Sequence, residues 1–521
     1  MMNSKLWQSP IDAGGSSLVF IVRGVAKIYR IGEAEVHTLR GVVLLCLLAG
    51  TLALDSCSLV TPYEAPPLPV TGAYPIDTRM QPNATAEGRI AAETAWRDYF
   101  VDPYLQALIA RTLDNSRDLK IAALRVAEAR AAYSIQRADQ FPAIAASING
   151  SRARTPADLS PTGRAQIGSQ YQVGVGLAAW ELDFWGRVRN LKDAALETYL
   201  ATDEARRAIT VSLVAQVADG YLALRELDER LALTRQTIAS HEESFRIFTR
   251  RFEVGAIARM DLVQVETLLH QAQTLAAQLE QARAAQAHAL TLLVGTPLLT
   301  VPEAGRFDDG AVLHDLRVGL PSELLLQRPD IVAAEHQLRA AHANIGAARA
   351  AFFPRITLTG SFGTASAALD GLFDSGSRAW NFLPSLSVPI FDGGRNRANL
   401  NLAEVRRDLT VANYEKTVQT AFREVSDALS ARHWLVEQVR ISQATLAAQA
   451  ERARLARLRY DNGSAPYFEV LDAQRDLLVA EQQLVQTRRA LLSSRVSLYA
   501  ALGGGSQEFV DPGFSATRPV N

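Results

Sequence analysis

Residues 385–397 read Ser385-Leu386-Ser387-Val388-Pro389-Ile390-Phe391-Asp392-Gly393-Gly394-Arg395-Asn396-Arg397. The first part alternates: Leu386, Val388 and Ile390 fall on one side of an extended chain, Ser385 and Ser387 on the other. A glycine pair follows, where the backbone can turn as other residues resist, and a long helical run begins. Upstream, Ile356, Leu358 and Phe362 alternate with Thr357, Thr359 and Ser361 in a second strand of the same kind. Strand, loop, strand, glycine turn and long helix form a unit, and the chain carries that unit twice. Gly186-Arg187-Val188-Arg189 recurs 208 residues later as Gly394-Arg395-Asn396-Arg397, and Phe141-Pro142 recurs 212 residues later as Phe353-Pro354. Arg251-Phe252 with Gly255 likewise matches Arg459-Tyr460 with Gly463, so the match stays in register and implies duplication. In the first copy the strands read as Ala143 to Ser151 and Ser169 to Trp180, with loops at about 152–168 and 365–380.

The segment from Asn190 to Arg251 has no proline, and its only glycine is Gly220. At ~1.5 Å per residue, about 60 residues reach roughly 90 Å, more than a globular core requires. Leu224, Leu227, Leu231, Thr234, Ile238, His241, Phe245, Phe248 and Phe252 step by three and four, and Leu262, Val265, Leu269, Ala272, Ala276 and Leu279 continue the rule on a returning helix. Heptads on both arms describe an antiparallel coiled-coil hairpin, and the second copy supplies another. Gly255 and Gly463 mark the two tips, where a reversal favours a residue that tolerates positive φ. Ahead of the first strand, Leu105 to Ala138 reads as one alanine-rich helix ended by Pro142.

The chain has 521 residues and a formal net charge of −1, which gives no electrostatic footprint for nucleic acid. Its two cysteines, Cys46 and Cys57, lie near the start, so the body holds neither a disulfide nor a cysteine-ligated metal. His336 and His342 are six apart and do not make a metal pair; no cofactor motif occurs, and Gly393-Gly394-Arg395 lacks the company of a phosphate-binding loop. No nucleophile, base and orienter stand at catalytic spacing, so an enzyme is not expected. Gly41 to Leu54 is an uncharged apolar run behind Lys27, Arg30 and Arg40, of the length of an export-signal core. It ends at Leu54-Asp55-Ser56-Cys57-Ser58, which resembles a bacterial lipobox with Cys57 as the acylated residue, although Asp55 stands where a small neutral residue is usual.

Four strands cannot close a barrel, and an open sheet with a lipid-facing side leaves backbone edges unpaired in the membrane. Several copies must share one barrel, and three would give twelve strands beside twelve helical segments. The bland alternative for alternating strands is a half-buried soluble sheet.

The chain resembles the outer-membrane efflux protein family, the TolC-like and NodT-type channels, in its lipoprotein branch. The resemblance runs from about Ala95 to Gly503. It rests on Trp96-Arg97-Asp98-Tyr99-Phe100 with Asp102-Pro103, Gly319-Leu320-Pro321-Ser322-Glu323-Leu324-Leu325 with Arg328-Pro329-Asp330-Ile331, Pro389 to Arg395, and Arg459-Tyr460-Asp461-Asn462-Gly463 with Glu469-Val470-Leu471-Asp472-Ala473. It implies a mainly α protein with a membrane β-barrel: a homotrimer whose twelve-stranded barrel continues into a twelve-helix periplasmic α-barrel. Its partners would be a periplasmic adaptor, an inner-membrane pump of RND type and the lipid of the outer membrane around the barrel; the chain carries no nucleotide-binding motif, so the energy would come from those partners. By position, Tyr460 and Asp261 match residues whose hydrogen bond helps lock the periplasmic aperture, and Glu469 and Asp472 match acidic rings lining it. Ala465 stands where the family often has arginine, so either Arg259 on the other hairpin tip substitutes or the channel is less firmly closed. Gly255 and Gly463 would meet the adaptor, while Gly186, Arg187, Gly393, Gly394 and Arg395 form the strand-to-helix junctions.

The domain reading is a signal and lipobox region at 1–57, a tether at 58–94, repeats at 95–300 and 301–505, and a tail at 506–521. The leading function is a passive exit duct of a tripartite efflux system. A type I secretion component uses the same fold, and a structural coiled-coil envelope protein accounts for the helices but not the strands. The lipobox generates a direct test: Cys57→Ser should abolish incorporation of a fatty-acid analogue while the barrel keeps the body in the outer membrane. Wild-type protein that takes up no label would show that Asp55 defeats the motif.

Overall fold

The computed structural model describes residues 28–31, 34–37, 62–71, 89–298, 310–312, 316–317 and 327–509. The chain falls into two units, Met1–Ser58 and Leu59–Asn521. In the first, β1 (Ile28–Ile31) and β2 (Ala34–His37) pair antiparallel, a hairpin that the sequence reading did not anticipate. Cys46, Cys57 and the apolar run lie outside the described residues, as does Gly319 to Leu325.

The second unit opens with β3 (Arg89–Ile90), α1 (Trp96–Tyr99), α2 (Pro103–Asn115) and α3 (Arg117–Ala138). The first strand pair, β4 (Ile144–Thr155) and β5 (Gln166–Leu182), leads into α4 (Arg187–Glu253) and the returning α5 (Arg259–Val294). After β6 (Leu316–Arg317), which pairs parallel with β3, the order repeats. It runs α6 (Pro329–Ala350), β7 (Arg355–Ser366), β8 (Arg378–Ser387), α7 (Arg395–Asp461) and α8 (Tyr467–Ala501). Both α4 and α7 have 67 residues, about 100 Å of helix each. Gly220 sits inside α4 because α5 passes close: a Cβ there would lie 3.3 Å from Gln286 and Leu290, and Gln286 Nε2 donates to the Gly220 carbonyl at 3.0 Å.

Two expectations are corrected. The single helix expected over 105–138 is two, broken at Ser116, which adopts an extended conformation (φ −60°, ψ 131°) between α2 and α3. Gly295, at the end of α5, packs so closely against the break that a Cβ there would come within 2.5 Å of the Asn115 carbonyl oxygen. The strand loops are also shorter than expected, spanning 156–165 and 367–377, because Arg152 and Arg154 remain in β4 and pair with Ser169 and Ile167 of β5.

The main sheet has the order β4-β5-β7-β8, antiparallel throughout, so β5 and β7 join the repeats while β4 and β8 are edges. Strand register sorts its faces. Ile148, Val173 and Thr364 lie in one row and Val175, Phe362 and Trp380 in another, so one face is largely apolar. Asn149, Gln172 and Ala365, and Ser361 with Asn381, occupy the other. A bulge between Leu177 and Trp180 shifts β5 by one residue and brings Trp180 and Leu182 back onto the apolar face opposite Leu358 and Ile356. Ile148, Trp380 and Leu386 are 82%, 75% and 65% exposed, so the apolar face is uncovered in the isolated chain.

The largest core lies where the short N-terminal helices meet the middle of the long ones. Trp96, Tyr99, Phe100, Leu105, Leu108 and Ile109 pack against Val217, Tyr221, Leu290, Leu492, Val496 and Tyr499. Each such fully buried side chain contributes about 1.5–3 kcal/mol. Tyr99 and Tyr499 stack with ring centres 4.2 Å apart, and their hydroxyls donate to the carbonyls of Arg495 (2.9 Å) and Thr94 (2.8 Å). Asp102 caps α2 by accepting from the N–H groups of Tyr104 (2.8 Å) and Leu105 (3.1 Å), and its second oxygen accepts from Tyr221 Oη at 2.7 Å. In the second repeat, buried Arg328 joins Asp330 (2.6 Å), Glu424 (2.8 Å) and the Ala501 carbonyl (3.0 Å).

Gly174 and Gly363 face one another where the two repeats join, and a Cβ on Gly363 would come within 2.1 Å of the Val173 carbonyl. Gly363→Ala should therefore cost at least about 1–3 kcal/mol of overpacking. Thermal unfolding of the detergent-solubilised protein should show the loss. Gly376→Ala, where a Cβ meets nothing within 4 Å, is the control that should leave the midpoint unchanged.

Candidate functional site

The two hairpin tips share one construction. Gly255 (φ 75°) and Gly463 (φ 69°) end α4 and α7, with Ala256 N–H donating to Arg251 O at 2.8 Å and Ser464 N–H to Arg459 O at 2.9 Å. This left-handed closure satisfies carbonyls that the helix end would leave bare. No atom lies within 4 Å of a Cβ built on either glycine, so both tips are open to an outside partner. Behind them Phe248, Val265, Ala456, Tyr467, Val470 and Leu471 form a second core that joins the hairpins. Tyr467 sits at its centre, 4.4 Å from the Phe248 ring and 4.7 Å from that of Tyr460, with its hydroxyl 2.8 Å from buried Ser244 Oγ.

The expected aperture residues sit around this core with partners that the sequence did not give. Tyr460 Oη accepts from Arg251 Nη1, a link from the second hairpin to the first. Asp261 instead accepts from the N–H of Ala258 at 3.2 Å, closing the start of its own helix, so Tyr460 and Asp261 are not joined within one chain. Within one chain the arginine that meets Tyr460 is Arg251. Glu469 pairs with Arg459 at 2.6 Å, and Asp472 pairs with Arg475 at 2.5 Å and with Arg452. The two carboxylates, expected to line an aperture, are each met by guanidinium within the chain. Arg452 also reaches Asp476 at 2.6 Å, and hydrogen bonds from Arg452 and then Arg475 hold the Asp476 carboxyl below its ordinary range.

At the strand-to-helix junctions the backbone turns through left-handed glycine: Gly186 has φ 74°, Gly393 φ 65° and Gly394 φ 85°. Arg187 forms a bidentate pair with Glu181 (2.7 and 2.8 Å), and Glu181 also binds Arg355 at the start of β7 at 2.7 Å. Trp185 stacks on Phe353 at 4.8 Å and donates to the Pro354 carbonyl at 2.8 Å, which accounts for the repeated Phe-Pro pair in the second copy. In the second junction Asp392 accepts from the N–H groups of Asn396 (2.8 Å) and Gly394 (2.9 Å), and these bonds lower its pKa. The glycine turn therefore serves a carboxylate of its own chain. The Arg395 N–H donates to the Asp392 carbonyl at 3.4 Å. Among the described residues no group of three His, Cys, Asp or Glu could hold a metal ion, and no helix is long and apolar enough to cross a membrane.

An antiparallel sheet with one apolar face, carrying two coiled-coil hairpins of this length, is the build of a TolC-like channel subunit. The chain belongs to the outer membrane efflux protein family, which matches residues 108–296 and 320–504 and places it in the outer membrane. It is 45% identical over 459 residues to outer membrane protein OprJ of Pseudomonas aeruginosa, covering 88% of this chain and 95% of that one. It is 43% identical over 465 residues to the toluene efflux pump outer membrane protein TtgC of Pseudomonas putida, covering 89% and 96%. The open state of the Neisseria gonorrhoeae MtrE outer membrane channel aligns with a TM-score of 0.78 at 36% identity, over 86% of this chain and 98% of that one.

His241 lies in the hairpin seam, 3% exposed, with no hydrogen-bond partner on Nδ1. Burial lowers its pKa, so the unfolded chain takes up the proton first as pH falls. Its contribution to stability is complete at neutral pH and declines as pH drops through the unfolded value of about 6.5 toward the lower folded one. The thermal midpoint should therefore fall between about pH 7.5 and about pH 5.5, and His241→Gln should flatten that part of the profile. An unchanged slope in the variant would assign the acid sensitivity to other groups.

Proposed function

We propose that three copies close their sheets into one barrel and align their hairpins as a periplasmic duct, the exit channel of a tripartite efflux system. The observation that carries this reading is the main sheet, which ends in two unpaired edges, β4 and β8, and exposes an apolar face. In lipid such edges must pair, and another copy of the same sheet offers complementary ones. The polar face then lines the pore. At the end of the sheet marked by Ile144 and Leu182 the strands connect directly to helices; in this reading the 156–165 and 367–377 loops, at the other end, lie at the outer surface and the hairpins in the periplasm.

Substrate arrives from an inner-membrane pump, of RND type, through a periplasmic adaptor that docks on the open tips around Gly255 and Gly463. The duct itself performs no catalysis. Cys57 carries the lipid of the mature N-terminus. At the periplasmic mouth Tyr460 and Arg251 tie the two hairpins of each chain, and Asp261 supports the turn beside them. Glu469 and Asp472 supply negative charge that Arg459, Arg452 and Arg475 moderate. The relatives bear names of different cargoes, toluene among them, and the substrate follows the pump.

Purified protein should have the mass of a trimer and conduct in planar bilayers; a pore-forming monomer would overturn the assembly. Tyr460→Phe removes the acceptor for Arg251 and should raise conductance several-fold, and Arg251→Gln should do the same from the other side. Glu469→Ala with Asp472→Ala releases Arg459 and leaves Arg452 and Arg475 sharing Asp476 alone, so the reversal potential in a salt gradient should move toward anion preference. A reversal potential equal to wild type would remove both residues from the ion path.

A further inference from the structure

Arg152 and Arg154 occupy the apolar face of β4, at the end of the sheet away from the helices. They continue the row of Ile144, Ala146, Ile148 and Gly150, every second residue of one strand. All of β4 from Ile144 to Arg154 is exposed, and among the described residues neither guanidinium has a hydrogen-bond or ion-pair partner. Beside them on the same face, Tyr171 of β5 lies across Gly150, its ring 3.4 Å from the place a Cβ would take. The face therefore changes along its length from aliphatic, through an aromatic ring, to paired positive charge. This is the order of a membrane boundary: hydrocarbon, interface, headgroup. An arginine on a lipid face is costly at the bilayer centre and much less so at the interface, where anionic headgroups attract it.

Arg378 begins β8 on the same apolar face, in the row of Trp380, Phe382 and Leu386, and is likewise exposed and unpaired in the chain. It stands on the opposite edge of the sheet. The internal repeat indicates how the edges meet if copies share a barrel. Within the chain Trp180 pairs with Leu358 and Leu182 with Ile356 across the β5–β7 joint. Shifting β5 forward by 208 residues and β7 back by 212, the offsets of the two repeats, pairs Val388 with Ala146 and Ile390 with Ile144 of the next copy. Continued without a bulge, this register sets Leu386 against Ile148, Phe382 against Arg152 and Trp380 against Arg154, with Ser385 against Asn149 on the polar side. Both faces agree in character along the seam. Arg378 then lies one step along the same face from Arg154, and two aromatic rings flank the arginines.

We propose that Arg152 and Arg154 of one copy and Arg378 of the next form a binding site for the phosphate groups of outer-leaflet lipopolysaccharide, one site at each seam between subunits. The Cα atoms of Arg152 and Arg154 are about 6.7 Å apart, so two guanidiniums from one strand can hold one phosphate or neighbouring ones through charge-assisted hydrogen bonds. Trp380 and Phe382 present flat faces to the guanidiniums and stiffen them. The acidic residues of this end, Asp158, Asp370 and Asp374, lie in the loops beyond the strands. The shared seam rests on the trimeric reading above; the pair on β4 does not.

The test uses the full-length protein in detergent. Binding of fluorescent lipopolysaccharide is compared with that of the same lipid dephosphorylated, with inorganic phosphate as competitor. Wild type should prefer the phosphorylated lipid at least tenfold, lose that preference as salt rises, and be displaced little by millimolar phosphate. R152Q/R154Q/R378Q should lose the preference while keeping the trimer mass, and R152K/R154K/R378K should regain most of it. Equal binding by wild type and the glutamine variant, or efficient displacement by free phosphate, overturns the proposal. If the glutamine variant fails to assemble, the lysine variant decides: assembly without lipid preference refutes the site, and restored preference supports it. Cysteines at Leu386 and Ile148 separate the two readings, since oxidation should link neighbouring copies only in the stated register. A trimer without that link would refute the shared seam alone, whereas a monomer whose lipid preference vanishes in R152Q/R154Q would refute the assembly and leave the β4 pair standing.

Discussion

Hydrocarbon offers no water to a peptide group, and each unsatisfied backbone N–H or C=O left there costs several kcal/mol. For a chain with four strands and one apolar sheet face this requirement governs the rest of the structure. The edges β4 and β8 must find partners, and internal duplication supplies them, because the joint that β5 makes with β7 can be repeated by β8 with β4 of another copy. The glycines at that joint let two backbones approach with no side chain between them: Gly174 faces Gly363, and Gly176 lies against the Gly360 carbonyl. Duplication also fixes the direction of the helices. Each strand pair leaves the sheet at the same end, through a left-handed glycine, so both 67-residue helices start from one side.

Two of the motifs that carry the family resemblance hold the fold. Trp96, Tyr99 and Asp102 build the central core and its cap, and Arg328 with Asp330 ties the start of α6 to α7 and α8. Tyr99 and Tyr499 are stacked and buried, and burial raises the pKa of both hydroxyls, which therefore act only as hydrogen-bond donors to carbonyls at neutral pH. A duct contacts cargo through a polar face that tolerates many side chains. The knot between short and long helices tolerates few, because each of its buried polar groups must keep a partner. This is why the sequence signals the architecture more sharply than the cargo.

The long helices were legible because one hundred ångströms of regular structure needs an uninterrupted run, and prolines and glycines are absent where they would break it. The hairpin tips and strand junctions were legible because only glycine enters the left-handed region freely. The break at Ser116 was not, since a serine is compatible with either helix or cap and the backbone packed against it, at Gly295, is far along the chain. Arg152 and Arg154 read as the start of a polar, turn-rich loop; their pairing with β5 shows that the strand runs on through them. The expected tie between Tyr460 and Asp261 drew on the resemblance, and the partner that one chain provides, Arg251, stood in plain view in the repeated Arg-aromatic pair at each tip.

That repeat also explains why equivalent arginines do different work. Arg251 and Arg459 occupy the same place ahead of the two tip glycines, yet Arg459 binds Glu469 of its own hairpin whereas Arg251 reaches across to Tyr460. The difference follows from what the returning helix offers each one. In the second hairpin Glu469 stands in the first turn of α8 and can take a guanidinium. In the first, the acidic residue of the first turn is Asp261, one carbon shorter and already accepting from Ala258 N–H. Arg251 is thereby left to bridge the hairpins, over the Phe248 ring at 5.8 Å. A pair between exposed groups is worth little by itself. Here it lies about 45 Å of helix beyond the central core that holds Tyr221 at mid-length, so a small local preference decides whether one hairpin leans on the other at the tips. One difference between the repeats, glutamate at 469 against aspartate at 261, thus leaves one tip closed on itself and the other bridged to its neighbour.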